Sequence, residues 1–280
     1  MGPQILQPIH RCALNLTLIA LAAAFSLSSA WAQKLPHSQV AKGKTKVQSV
    51  ELIGPTQRYA HFVLGDQFEA AGFRVTYEDG AQSDFTLPAT EVFEDRVPRL
   101  IDLTGDGREE LILVQSHVQK GASLAIYDLG PGNITLRAQT PYIGQPNRWL
   151  NPAGIADFDG DGQVEIALVS KPHLAKELQL WRFSNDGLSL VSTHAGFSNH
   201  RLGSREQRLS AQADFNADGV TDLIVPGANR KSLHIVSFAN GFKVLRTFNL
   251  ASEIDGPVTL KNGKLNVPLR SAKRTKISIF

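Results

Sequence analysis

The chain has 280 residues, 42% of them hydrophobic and 8% aromatic, with a formal net charge of +3. That length is enough for one large core. The 29 basic and 26 acidic residues leave only a small excess, and no Lys/Arg-rich run with interleaved aromatics appears, which argues against a nucleic-acid partner.

Residues 1–32 read as a targeting segment. Arg11 supplies positive charge, Ala13 to Leu27 are largely apolar, and Ala30-Trp31-Ala32 is an A-x-A cleavage signal before Gln33. The apolar run is short for a spanning helix and is interrupted by Asn15 and Thr17. Cys12 directly follows Arg11, so it does not read as a lipoprotein cysteine, and the mature chain 33–280 has no cysteine. Export without disulfides fits a bacterial periplasmic or secreted protein, expected to be a monomer with no transmembrane segment, held together by its core and by metal.

Beyond Val47 the chain reads as short strands separated by Gly, Asn, Asp and Pro, with no sustained 3.6-residue periodicity. A degenerate unit at about 47–97 places strands near 48–53, 59–65, 72–78 and 84–88, with Glu78-Asp79-Gly80 in the last turn. A clearer unit follows with strands at about 98–102, 110–115, 122–128 and 133–138. The next has strands at 153–157, 165–170, 177–183 and 188–192, and a third at 209–214, 222–226, 232–238 and 242–248. Gly130-Pro131-Gly132, Asn185-Asp186-Gly187 and Asn240-Gly241 supply the turns between third and fourth strands. A second degenerate unit, 257–280, contains three strands, and residues 34–46 are expected to supply its fourth and close a ring. Closure removes exposed sheet edges.

A carboxylate loop occurs three times, at 102–110, 157–165 and 214–222. The copies are Asp102-Leu-Thr104-Gly-Asp106-Gly107-Arg108-Glu109-Glu110, Asp157-Phe-Asp159-Gly-Asp161-Gly162-Gln163-Val164-Glu165 and Asp214-Phe-Asn216-Ala-Asp218-Gly219-Val220-Thr221-Asp222. A period of 55 and then 57 residues marks a repeat architecture. Oxygen ligands at positions 1, 3 and 5, a turn-forming glycine at 6, a backbone carbonyl at 7 (Arg108, Gln163, Val220) and an acid at 9 suit a hard cation such as calcium. Up to three structural calcium ions are expected. The middle loop offers four carboxylates, while Thr104 stands where an acid or amide is usual, so the first site is expected to be weakest. The competing reading is that Asp-Gly pairs are simply turn formers.

These loops resemble the Asp-x-Asp-x-Asp-Gly-x-x-Asp cation loops of FG-GAP/VCBS-type repeats, clearly over residues 98–250. The resemblance implies an all-β fold, a single β-propeller over 33–280, and five blades are expected. It also implies calcium in the loops joining first and second strands. The Phe-Gly and Gly-Ala-Pro signatures of the integrin version are not evident, so integrin-like ligand binding is not implied.

Antiparallel alternation puts first-to-second and third-to-fourth loops on one face. The opposite face then collects His117, His173, Asp66 and Arg230, with Arg148-Trp149, His200, Arg201 and Arg205 from the interblade connections. Such a mouth suits an anionic or sugar ligand or a protein partner, unless Trp149 packs between blades and Arg148 serves a nearby carbonyl. Catalytic templates are absent: there is no H-E-x-x-H, no G-x-S-x-G and no mature cysteine nucleophile. The leading reading is a calcium-stabilised binding or scaffold module, not an enzyme, for a protein or glycan. The alternatives are a lyase-like carbohydrate-active enzyme using the His/Arg face, and a surface adhesin, which is disfavoured because no anchor or long linker accompanies the repeats.

Overall fold

Runs of Val, Ile, Leu and Phe broken every few residues by turn formers cannot sustain a helix, and the computed structural model is all-β over the residues it describes, 1–2, 33–271 and 274–278. The expected targeting segment lies outside those residues, apart from Met1 and Gly2. The chain folds as a β-propeller.

In the first blade β1 (Val40–Lys42), β2 (Val47–Thr56), β3 (Glu69–Tyr77) and β4 (Gln82–Thr86) pair antiparallel in that order. A short strand, β5 (Glu91–Phe93), leads to the second blade: β6 (Arg99–Ile101), β7 (Glu110–His117), β8 (Gly121–Gly130) and β9 (Asn133–Gln139). β5 pairs with β3 at Ala70 and with β7 at Gln115 to His117, so the first two blades form one nine-stranded sheet. The third blade is β10 (Leu150–Ala156), β11 (Glu165–Ser170), β12 (Glu177–Ser184) and β13 (Gly187–Ala195). The fourth is β14 (Ala211–Ala213), β15 (Asp222–Pro226), β16 (Ser232–Ser237) and β17 (Lys243–Asn249). A last sheet holds β18 (Thr259–Lys261), β19 (Lys264–Pro268) and β20 (Arg274–Ser278).

The second strands explain the apolar runs. β11 and β15 are buried at every residue because blades cover both faces, whereas the outer strands β13 and β17 are largely exposed. The third and fourth strands also share a bulge, at Ile126/Tyr127, Leu180/Trp181 and Ile235/Val236. Such a bulge adds local twist at the blade's rim. Four apolar clusters fill the seams between consecutive blades. In the first seam Phe73, Phe85, Phe93 and Tyr127 pack together, with ring centroids 5.0–6.5 Å apart. Each such pair contributes about 0.5–1.5 kcal/mol beyond its buried area.

Two expectations for the degenerate units are corrected. Residues 34–46 do not complete the last sheet: β1 pairs with β2, and Lys34 bridges Ile53. A four-residue hairpin costs far less closure entropy than joining the two ends of the chain. The backbone of this hairpin also cups a neighbour's acid, since Lys44 and Thr45 donate their N–H groups to the Glu109 carboxylate. Nor is 59–65 a strand. Ala60 and Phe62 take positive φ there, breaking the extended backbone that an apolar run between turn formers suggested.

Candidate functional site

The three carboxylate loops join β6 to β7, β10 to β11 and β14 to β15 on one face. Each is tied by the same three hydrogen bonds. The position 6 glycine N–H donates to the position 1 acid: Gly107 to Asp102 at 2.8 Å, Gly162 to Asp157 and Gly219 to Asp214 at 2.9 Å. The position 7 N–H donates to the position 5 acid: Arg108 to Asp106 at 2.8 Å, Gln163 to Asp161 and Val220 to Asp218 at 2.9 Å. The acid at position 9 is buried in its strand and accepts the position 2 N–H: Glu110 from Leu103 at 2.8 Å, Glu165 from Phe158 and Asp222 from Phe215 at 3.0 Å. Burial raises the pKa of Glu110, Glu165 and Asp222 alike.

What surrounds each loop differs. In the first, Thr104 offers only a hydroxyl, and Arg108 folds back on Asp106 at 2.7 Å, largely in solvent. In the second, Asp157, Asp159 and Glu165 bring carboxylate oxygens within 4.8 Å of one another, the one such acid, His or Cys grouping among the described residues. The Arg182 guanidinium sits on that grouping, bonded to Asp159, to Asp161 at 3.0 Å and to Glu165 at 3.1 Å. The third loop has Asn216 at position 3, bonded to Asp218 at 2.8 Å. Its Asp222 is fully buried, and Oδ1 makes no hydrogen bond of good geometry, its one neighbouring donor being the Ser237 hydroxyl. A buried carboxylate oxygen so weakly satisfied is a donor that a hard cation can use. Asp214, Asn216, Asp218, Asp222 and the Val220 carbonyl are the groups that would hold it.

On the opposite face, most of the expected ligand residues bond to the protein itself. Trp149 is only 2% exposed; its Nε1 donates to the Glu94 carbonyl at 2.9 Å, and its ring lies parallel to His173 and edge-on to His200. His200 Nε2 lies 2.8 Å from the Ser204 carbonyl, so Nε2 carries the proton, and Nδ1 accepts from His173 Nε2 at 3.0 Å. Burial holds both rings neutral, with pKa values of about 4 for His173 and about 3 for His200. Arg201 bonds Asp255, Arg205 bonds Asp66, and Arg230 bridges Ser198, the His200 carbonyl and Glu253. Arg148 donates to the Asn147 carbonyl, and His117 Nδ1 accepts from the Gln119 N–H.

Sequence reasoning missed three arrangements. The first is a polar belt joining three blades. Gln207 Nε2 donates to Asp95 at 3.0 Å, Asn151 Nδ2 donates to the Gln207 carbonyl at 2.8 Å, and Asn199 Nδ2 donates to the Asn151 carbonyl at 3.1 Å. Asp95, Asn151 and Gln207 recur every 56 residues, six or seven before a loop's first acid, and that spacing was a usable signal. The second is Ser116–Glu94–His61: Glu94 is buried, accepts the Ser116 hydroxyl at 2.7 Å and holds His61 Nδ1 at 2.6 Å. Nothing in the local sequence announces it, because the three residues come from separate blade segments. The third is Glu69, buried beside Glu94. Burial first, then the Glu94 charge, pushes its pKa up to about 7.

Comparison with known proteins bears on the fold. Residues 102–168 match the model of the FG-GAP-like repeat, a span holding the first two loops and the blade between them. No curated protein matches the chain. The crystal structure of BamB from Moraxella catarrhalis is similar, with a TM-score of 0.50 and 11% identity over 88% of this chain and 62% of that one. This chain therefore spans less than two thirds of that protein's length. A protein of unknown function from Bacteroides caccae gives a TM-score of 0.45 and 14% identity, over 86% of this chain and 77% of that one. At 11% identity the likeness to BamB concerns fold alone. Among the described residues no helix is long and apolar enough to cross a membrane.

Proposed function

We propose that this chain is an exported β-propeller, stabilised by calcium at its loops, that serves as a binding or scaffold module for a protein partner on the face opposite those loops. The observation that carries the reading is a set of exposed apolar tips on braced loops. Phe62, Leu174 and Leu202 are 51%, 61% and 61% exposed. Their loops are joined by the Gly203 N–H to the Val63 carbonyl at 2.9 Å and by the His173–His200 pair. Gly65 lets two of them meet, since a Cβ there would stand 2.3 Å from the Gly203 carbonyl oxygen. Rigid apolar tips lose little entropy on binding and suit a protein surface. A glycan would stack on an aromatic face; here Trp149 is buried and the exposed tips are two leucines and Phe62, a set better matched to a protein surface. Calcium is supported by three turns that share the same backbone bonds and by the weakly satisfied, buried Asp222 oxygen; export is supported by the leader-like segment 1–32.

The test is capture of partners from a periplasmic extract by the cross-linked mature chain, beside a Phe62→Ser/Leu202→Ser variant. Loss of the captured protein in the variant supports the reading; identical capture, or a glycan-array signal unaffected by the variant, overturns it. A second reading, an enzyme on this face, is favoured by Ser116–Glu94–His61, in which a buried carboxylate orients an imidazole as in general-base catalysis. Cleavage of a polysaccharide panel that disappears in His61→Gln would establish it.

A further inference from the structure

Arg182 and Glu165 are cross-strand partners in β12 and β11. The same station holds Ser237 in the fourth blade, one residue beyond Val236, and Asp128 in the second, one beyond Tyr127. Three turns with the same backbone bonds therefore face an arginine, a serine and an aspartate. Of these three only the arginine reaches its loop's acids, joining Asp159, Asp161 and Glu165, whereas in the first loop Arg108 meets Asp106 alone. The oxygen that Arg182 Nε satisfies on Glu165 corresponds to the Asp222 Oδ1 of the third loop, which has only the neutral Ser237 hydroxyl beside it.

We propose that Arg182 is a built-in cation that closes the second loop against divalent ions. The proposal rests on the calcium reading of the loops and reverses the order that carboxylate count alone suggests. A guanidinium's planar donors match carboxylates in pairs, and its tether keeps it at an effective concentration of about millimolar or more. A calcium ion needs six to eight oxygens, so it must first expel the guanidinium from the same oxygens. Arg182 is 28% exposed, which leaves it a way out into solvent. The richest loop is thus held as an ion pair, the first has Thr104 and the Arg108–Asp106 pair, and the third, whose acids no guanidinium reaches among the described residues, is the one left for metal.

Equilibrium dialysis of the mature chain at about 1 mM calcium, the range of extracellular calcium modules, decides it. Asp161→Asn should bind as much calcium as the wild type. Arg182→Met should bind one equivalent more, and Arg182→Met/Asp161→Asn should lose that equivalent. Equal binding by wild type and Arg182→Met, or a lost equivalent in Asp161→Asn alone, overturns the proposal; the second comparison stands even if Arg182→Met does not fold. Asp218→Asn tests the underlying reading separately: unchanged binding there removes the third-loop site and leaves the Arg182 comparison intact.

Discussion

On the loop face, each turn is tied by three backbone N–H hydrogen bonds within nine residues of chain, and the same bonds recur in three blades, with Lys44, Thr45 and Arg182 reaching in from outside. On the opposite face, contacts join residues far apart: Arg205 meets Asp66, Trp149 meets Glu94, and Gln207 meets Asp95. The first face is a set of local devices, each repeated and each tolerant of its neighbour's loss. The second is a single network in which one deletion strands several partners. Damage to the second face should therefore reduce stability in any buffer, whereas damage to the first should matter only when cation is present.

The largest effect expected is for Trp149→Ala, which empties the seam between the second and third blades and strands the His173–His200 pair. It should cost about 3–5 kcal/mol in urea unfolding, with or without chelator. A loss below about 1 kcal/mol would mean that the network is not cooperative. Next, Asp218→Ala should match the wild type in EGTA but fall behind by about 2.7 kcal/mol once calcium reaches a hundred times its dissociation constant. Melting curves that coincide in both buffers would remove the proposed division between the faces.

Protonation gives a third comparison. Glu69 has a folded pKa of about 7 against 4.5 when free, so its contribution is fully present below pH 4.5 and is lost as pH rises through 7. His173 and His200, lowered to about 4 and about 3, contribute above pH 6.5 and lose that contribution as pH falls toward those values. Glu69→Gln should remove the first slope, gaining about 2 kcal/mol at pH 8 relative to pH 5 against the wild type. An unchanged pH profile would show that Glu69 is not the group titrating. The smallest effect belongs to the third loop, where Ala217 takes the positive φ that Gly105 and Gly160 take in the others. Ala217→Gly should stabilise by about 0.5–1 kcal/mol, and a destabilised variant would indicate that chain entropy outweighs relieved strain.

The same contrast explains what could be read from the chain. The loops, the apolar second strands and the third-to-fourth turns were legible because their signals are local and recur at a fixed period. β11 and β15 have the bounds expected of them, 165–170 and 222–226. The first blade was misread because Tyr59 to Leu64 form an apolar run like those of the true strands, while its first strand, β1, is only three residues long. His61, Glu94 and Ser116 were invisible for a different reason: nothing links them until the blades are in register. Arg182 lay in plain sight as a strand residue, but its meaning depends on the cross-strand position that only pairing with Glu165 defines.

β5 gives the ring a built-in polarity. Because it pairs with β7 at three positions and with β3 at one, the first two blades are joined by strand pairing that the later blades lack. Peeling from the C-terminal sheet can proceed a blade at a time, whereas fraying from the N-terminal side must release about a hundred residues at once. Deuterium uptake should accordingly be slowest and most uniform from β2 through β8, and a pulling experiment should record its single largest step there.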